Sequence, residues 1–353
     1  MINNIHIHHF RGIRDAFIDN MGQFNLFLGH NNCGKSTVLD ALLLFMSHEH
    51  PEAHVTIQNI RQLNIQNSDD IKLCFYRLNT ENPIVIEGEY GSTNRSVTVS
   101  YFETIAEKIE QGNVDLKNNK NNRLFGLQIN NKIEDESVHE FIARLTFDPK
   151  NPNEFLIDNK INVSPWHINC AYLSSATGHE RDDDYVNFSQ VLKEKQEPRI
   201  VKILQQIEPS INDIVAADDR VMVDIGLERR IPIQVLGDGI RKVLNIVLAI
   251  YLCKNGVILI DELENGLHYS SMPILWKAII AAARDFNVQV FCTTHNIDSL
   301  NAVKEVIRES KDESLKDTWR AFTLKKADDG LLRIYTHTYA QYEYLLDTER
   351  EIR

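Results

Sequence analysis

Cysteine is scarce in this sequence, and what there is lies scattered. Cys33, Cys74, Cys170, Cys253 and Cys292 are the five present, an odd number with no CxxC pair among them. That pattern excludes a zinc ribbon, a dithiol redox couple and a disulfide framework, and the thiols are expected to be reduced. Long hydrophobic runs are missing too. No stretch approaches the roughly eighteen uncharged apolar residues that a membrane-crossing helix requires. The opening Met-Ile-Asn-Asn-Ile-His-Ile-His-His-Phe has neither the basic nor the apolar part of a secretory leader. The expectation is a cytoplasmic chain with no membrane association. Positive charge is in deficit, with 38 Lys and Arg against 50 Asp and Glu, a formal net charge of −12 and a pI near 5.6. Such a balance repels a polyanion on average and argues against a dedicated nucleic-acid-binding protein; direct contact would need a local basic patch or a partner. Internal repeats and sustained heptads are absent, which excludes solenoids and coiled coils. What is present is a globular balance, 353 residues that are 43% hydrophobic and 25% charged, long enough for one large core or two moderate ones.

Hydrophobic periodicity divides the chain. Ile5 and Ile7 alternate with His6 and His8 as in a strand, and Phe24 to Leu28 is an apolar run before a glycine-rich turn, after which a helix is predicted over 35–46. Residues 70–170 carry alternating runs such as Pro-Ile-Val-Ile-Glu-Gly-Glu-Tyr and Ser-Val-Thr-Val-Ser-Tyr, joined by Asn-rich turns and interrupted by a polar segment at 110–123. They predict a mainly antiparallel sheet. Helical spacing returns over 185–215, where Ile200, Ile203, Leu204 and Ile207 share a face between Pro198 and Pro209. The last third alternates strands at 257–260 and 288–292 with helices at 239–253 and 272–285, the rhythm of a parallel sheet. The fold class is therefore α/β, a mixed sheet flanked by helices with a β-rich insertion and a helical segment. The expected division is a core of residues 1–70 and 230–353, a β-rich lobe over 71–175 and a helical insertion over 176–229.

Three motifs carry chemistry. Gly29-His30-Asn31-Asn32-Cys33-Gly34-Lys35-Ser36 matches G-x-x-x-x-G-K-[ST] and lies between a strand and a helix, the context the motif requires. With glycine near 7% of residues, such an octapeptide arises by chance in about one chain in a hundred of this size, so the context decides for function. Glycine lets the backbone curl until successive N–H groups face phosphate oxygens, the helix N-terminus adds partial positive charge, Lys35 reaches the terminal phosphates and Ser36 ligates Mg²⁺. The candidate nucleotide-binding residues are Gly29, Asn31, Asn32, Cys33, Gly34, Lys35, Ser36 and Thr37. Val257-Ile258-Leu259-Ile260-Asp261-Glu262 has the form of a Walker B segment, an aliphatic strand buried on both faces that ends in two carboxylates. Asp261 is the candidate for the Mg²⁺ shell, and Glu262 the candidate acceptor of a proton from the attacking water. The second strand ends in Thr293-Thr294-His295, where the imidazole could hydrogen-bond a γ-phosphate; alone it reads as a histidine in an exposed turn, and its order and spacing after the other two motifs favour the first reading.

The segment Asn4 to Asp15 followed by Phe-Leu-Gly-His-Asn-Asn-Cys-Gly-Lys-Ser-Thr resembles the opening of the ABC-type ATPases related to RecF, SMC proteins and the overcoming-lysogenization-defect (OLD) nucleases. Asp-Glu-Leu-Glu-Asn-Gly-Leu-His-Tyr from Asp261 and Gln-Val-Phe-Cys-Thr-Thr-His from Gln289 are similar to the stand-alone OLD-like ATPases of bacteria. The likeness covers the start of the chain through about residue 45 and from about residue 230 onward, not the middle. It implies a P-loop ABC-type ATPase head, ATP and Mg²⁺ as cofactors, and a head-to-tail homodimer or larger oligomer that closes two nucleotides between the phosphate loop of one copy and the signature loop of the other. The candidate signature is Leu236-Gly237-Asp238-Gly239-Ile240-Arg241, with Gly237, Asp238 and Gly239 facing the partner's nucleotide; a glycine turn capping a helix is the alternative. Gly237 stands where the family's usual signature serine would be, leaving backbone amides and Arg241 as donors. Glu264 to His268 takes the place of the D-loop. Arg11 and Arg14 read equally as nucleotide-side residues or surface charges. His6 and His8 read as an ordinary strand face, because no third metal ligand is placed nearby in sequence. The run Asp182, Asp183 and Asp184 reads as a solvated loop.

The OLD nucleases add a Toprim domain that cuts DNA. The residues after His295, with a final helix expected near 338–350, leave no room for one, so any nuclease is expected to be a separate polypeptide. The leading expectation is an ATP-driven switch whose dimer closes on ATP and reopens on hydrolysis to control a separate effector, a nuclease or toxin, in bacterial anti-phage defence or genome maintenance. The alternative is a RecF-like repair ATPase that binds DNA directly, against which the net charge counts. A transporter subunit is disfavoured by the long β-rich insertion before the signature.

Overall fold

Two hydrophobic rhythms run through the sequence, and the computed structural model of the protein folds each into its own sheet. It describes residues 1–47, 50, 52–63, 65–105, 123–134, 138–148, 151–160, 169–174, 181–265 and 267–348. The chain divides into two compact units. The first is Met1–Met21, Gly29–Ile168 and Thr323–Thr336; the second is Gly22–Leu28, Asn169–Phe322 and His337–Arg353.

The first unit is built on the period-two segments. Strands β1 (Ile2–Phe10) and β2 (Ile13–Ile18) form a hairpin that joins β4 (Ile84–Tyr90), β5 (Thr93–Ile105), β6 (Arg123–Glu134), β7 (Val138–Asp148) and β8 (Asn151–Lys160) in a seven-stranded sheet of order β2-β1-β4-β5-β6-β7-β8. Every pairing in it is antiparallel, as the alternation between 70 and 170 predicts. Ile5 and Ile7 of β1, Ile84 and Ile86 of β4 and Val97 and Val99 of β5 are buried, while His6 and His8 lie on the opposite, partly exposed face. Helix α1 (Lys35–Met46) covers the apolar face with Val38, Leu39, Leu42 and Phe45. Two short helices, α2 (Ala53–Ile60) and α3 (Ser68–Lys72), complete this unit; α3 carries a capping box from Asn67 and Asp70.

The second unit is built on the continuous aliphatic runs. Strands β3 (Phe24–Leu28), β9 (Cys170–Leu173), β13 (Val257–Ile260) and β14 (Gln289–Thr293) run parallel. Strands β15 (Trp319–Lys326) and β16 (Leu332–Thr338), of which residues 323–336 are counted in the first unit, extend the hydrogen-bonded order to β16-β15-β3-β14-β13-β9. All residues of β3, β13 and β14 are buried, which is why these runs do not alternate. A separate antiparallel sheet comprises β10 (Asp213–Ala217), β11 (Arg220–Asp224) and β12 (Ile231–Pro232). The helices are α4 (Arg181–Lys193), α5 (Glu197–Leu204), α6 (Asp238–Leu252), α7 (Met272–Asp285), α8 (Ile297–Arg308), α9 (Ser314–Thr318) and α10 (Tyr339–Asp347). One core gathers β3, β13, β14 and the apolar faces of α6, α7 and α8 around Trp276 and Trp319, whose rings meet edge-on at 5.8 Å.

Some local expectations shift. Of 185–215, helix extends only to Leu204; after Pro209 the β-branched residues Val215, Val221 and Val223 alternate across a tight turn in which Asp218 and Asp219 adopt φ of 52° and 55°. The Asp182–Asp184 run is helical, inside α4, and not a loop. Cys170–Leu173, at the end of the β-rich stretch, pairs parallel to β13.

Candidate active site

The phosphate loop belongs to the first unit and begins one residue after β3 ends. Its curl comes from left-handed backbone at three positions, Gly29 (φ 141°), Asn32 (φ 64°) and Gly34 (φ 108°). Glycine is required at 29: a Cβ there would sit 2.6 Å from both Cys33 Sγ and the Leu324 carbonyl oxygen. Gly34 caps α1, so Lys35, Ser36 and Thr37 form its first turn. Lys35 Nζ donates to the carbonyls of Gly29 (2.8 Å) and His30 (3.1 Å), which folds the ammonium across the loop it serves.

Behind the loop, one turn into α1 from Ser36, Asp40 is fully buried and accepts from Arg11 Nη1 (2.5 Å), Arg61 Nε (3.1 Å) and Arg61 Nη2 (2.7 Å). Arg61 Nη2 also donates to the Ser36 carbonyl at 3.1 Å. Arg11 is thus a buried brace of the phosphate-loop helix. Arg14 pairs on the surface with Asp329 at 2.9 Å. Beside Arg11, His54 is buried and its pKa falls to about 3, first through desolvation and then through the guanidinium.

The acidic half lies in the second unit. In-register parallel pairing brings the C-terminal ends of three strands side by side, with Ile260 of β13 opposite Cys292 of β14, and Thr293 opposite Phe27 of β3. Asp261 is buried at the tip of β13. Its Oδ1 accepts from the Thr293 hydroxyl (2.7 Å) and its Oδ2 from the Tyr172 hydroxyl of β9 (3.2 Å). Thr293 Oγ1 in turn accepts from the Glu262 backbone N–H at 2.8 Å. Glu262 has φ 53°, a left-handed conformation that a non-glycine residue adopts at a cost of about 1 kcal/mol or more. The Thr293 contact and the Asn265 side chain, donating to Glu262 Oε2 at 2.5 Å, hold it there. His295 lies two residues beyond β14, its ring half-exposed. Glu264, buried, accepts from its backbone N–H (3.0 Å) and sits 3.2 Å from Nδ1, an orientation that turns Nε2 outward.

The signature segment opens α6. Gly237 has φ 100° and leads into Asp238 and Gly239 at the helix N-terminus, so the departure from serine has a backbone reason: a side chain there would be strained. Lys242, one turn along, donates to the carbonyls of Leu263 (3.1 Å) and Asn265 and so ties α6 to the segment after Glu262. Burial lowers its pKa and Glu264 opposes that shift. The sequence carries no signal for Tyr172, Lys242 or the Arg11–Asp40–Arg61 brace, and it marks Thr293 and Asn265 as members of their motifs without the contacts they make to Asp261 and Glu262. The sequence places no third ligand near His6 and His8, whereas β-pairing sets Glu87 and Asp15 beside them. The five cysteines are free thiols.

In the first unit a curled amide loop, a lysine across it and a helix N-terminus present donors suited to phosphate oxygens, and in the second a buried carboxylate lies beside a positioned glutamate. No helix among the described residues is long and apolar enough to cross a membrane. A family described as "AAA domain, putative AbiEii toxin, Type IV TA system" matches residues 24–301. A protein named ATP/GTP phosphatase from Helicobacter pylori is 26% identical over 374 aligned positions that span the whole of both chains. Solved structures with similarity include an SMC head bound to the C-winged helix domain of ScpA (TM-score 0.47, 11% identity, 96% of this chain and 97% of that one). An SMC head from Pyrococcus furiosus with an extended coiled coil, bound to the C-terminal domain of ScpA, gives a TM-score of 0.47 at 10% identity over 99% of each chain. The family match spans most of the sequence, both motif-bearing strands included, and the chain belongs to this AAA-domain family of ATPases.

Proposed function

We propose that the chain is a magnesium-dependent ATP switch whose two copies close head to tail on nucleotide and reopen on hydrolysis. The observation that carries the reading is the alignment of three parallel strand ends: the phosphate loop continues from β3, Asp261 and Glu262 from β13, and the segment leading to His295 from β14. Amides of Gly29, Asn31, Asn32, Cys33, Gly34 and Thr37 cradle the phosphates, with Lys35 on their charge. Ser36 and Asp261 hold Mg²⁺, which neutralises charge on the phosphate oxygens. Glu262 accepts the proton of the attacking water, and His295, oriented by Glu264, reports the terminal phosphate through Nε2. The relative named ATP/GTP phosphatase supports nucleoside triphosphate hydrolysis.

In the closed dimer the partner's nucleotide meets Gly237, Asp238 and Gly239. Two exposed apolar side chains support a protein-covered face there: Val235, 66% exposed just before the signature glycines, and Tyr269, 62% exposed. The Tyr269 turn is adjacent, because a Cβ on Gly239 would lie 3.8 Å from Ser271 Oγ. We assign the output to a separate effector, a nuclease or toxin, in anti-phage defence; the toxin–antitoxin wording of the family description supports that setting. Light scattering of Glu262→Gln with ATP and Mg²⁺ tests the switch. A dimer is expected, lost in Glu262→Gln/Gly237→Ala; a monomer at saturating ATP overturns the reading.

A further inference from the structure

The histidine pair of β1 is part of a cluster assembled by sheet register. His8 stands directly opposite Asp15 of β2 and His6 directly opposite Glu87 of β4, on one face of three adjacent strands. Asp15 Oδ1 is hydrogen-bonded to His6 Nε2 at 3.0 Å and lies 2.9 Å from His8 Nδ1. The bond makes His6 Nε2 the protonated nitrogen and leaves a lone pair on His6 Nδ1, while His8 Nε2 is the ring nitrogen opposite the one beside Asp15. Both face Glu87 Oε1, at 3.8 and 3.9 Å. Those separations are too long for hydrogen bonds. They are close to the spacing of roughly 3.4 Å between two ligands that share a tetrahedral metal at bond lengths of about 2.0–2.1 Å.

We infer that His6 Nδ1, His8 Nε2 and Glu87 Oε1 form a binding site for a borderline divalent cation of the zinc class, with water in the fourth position and Asp15 as the outer carboxylate that orients both rings. The donor set decides the metal class. Two imidazoles and one carboxylate suit Zn²⁺ and its first-row neighbours, whereas Mg²⁺ and Ca²⁺ take oxygen ligands. A carboxylate accepting the remote N–H of a ligating imidazole is the usual outer partner of such sites and raises the basicity of the ligand nitrogen. The cluster is open to an arriving ion: its side chains are between 27% and 52% exposed, and His6 and Glu87 line a cavity of about 420 Å³ that also includes Asn4, Asn94 and Lys132. Filled, the site would cross-link β1 and β4 directly and β2 through Asp15, at the edge of the sheet that α1 packs on.

The test uses tag-free full-length protein stripped with a chelator, without nucleotide, so that the phosphate site has no reason to retain a transition metal. Calorimetric titration with Zn²⁺ should give one ion per chain, and Co²⁺ should give the intense visible bands of a four- or five-coordinate site. His8→Ala and Glu87→Gln should lose both signals, and Asp15→Asn should weaken binding by about 10–100-fold. Zn²⁺ should raise the melting temperature of the parent protein and not that of Glu87→Gln, a partly exposed position whose change leaves the strand intact. No uptake by the parent protein, or an unchanged stoichiometry in folded Glu87→Gln, overturns the assignment.

Discussion

Thr293→Val changes one oxygen into a methyl group at the point where the two acidic residues are coupled. The threonine is fully buried; its hydroxyl donates to Asp261 Oδ1 at 2.7 Å and accepts from the Glu262 N–H at 2.8 Å. Valine preserves the volume and removes both contacts. Loss of the charge-assisted bond costs about 1.5–3 kcal/mol, and the stranded N–H adds about 1–3 kcal/mol. Taking about 3 kcal/mol as the net, the transition of the unit that carries β14 should fall by roughly 6–12 °C. Glu262 would also lose the contact that holds its left-handed backbone, and a displacement of the proton acceptor by about 1 Å lowers kcat by about 10²-fold. KM for ATP should change little, because the phosphate loop is untouched. Steady-state ATPase kinetics and calorimetry read both effects, and Thr293→Ser, which restores the hydroxyl, should recover them. A Thr293→Val protein with the parent kcat and melting temperature would refute the coupling.

Lys35→Ala should weaken nucleotide binding at least about tenfold, the loss expected for a charge-assisted contact worth about 1.5–3 kcal/mol, as measured by fluorescent-nucleotide titration. Asp40→Ala leaves the Arg11 and Arg61 guanidinium groups, 14% and 21% exposed, without their shared anion; denaturation should show a loss of about 3–5 kcal/mol. Acidification should act through His54, whose folded pKa of about 3 lies below the ordinary imidazole value of 6.5. Below that ordinary value the unfolded chain takes up a proton that the folded chain refuses, so stability is complete above about pH 6.5 and is lost as the pH falls toward 3. At pH 5 the penalty is about 2 kcal/mol, and His54→Leu should flatten the difference between denaturation curves at pH 7 and pH 5.

Local pattern determined most of what could be read in advance. The spans Phe24–Leu28, Lys35–Met46, Val257–Ile260 and Met272–Asp285 follow from continuous apolar runs and three-to-four spacing, signals contained within a few residues. The pairing of Cys170–Leu173 with β13 was not legible, since four half-buried residues carry no mark of their partner 87 positions away, as in Val257 opposite Cys170. Side-chain support was hidden for the same reason. Asp40 meets Arg61 and Arg11 across 21 and 29 positions, and Lys242 reaches Asn265 across 23. The histidine face read as ordinary because Glu87 arrives only through the register of β4, set by the buried alternation of Ile84 and Ile86 and by nothing in the first twenty residues.

In the proposed reaction Glu262, at the tip of β13, removes the proton from the water that attacks a nucleotide held by the loop after β3. Single-turnover hydrolysis of radiolabelled ATP by Glu262→Gln, with binding measured in the same samples, tests it most directly. Nucleotide affinity should stay close to that of the parent protein, and the hydrolysis rate should fall by about 10²–10⁴-fold, the contribution of a positioned base. Hydrolysis by Glu262→Gln at the parent rate would contradict it.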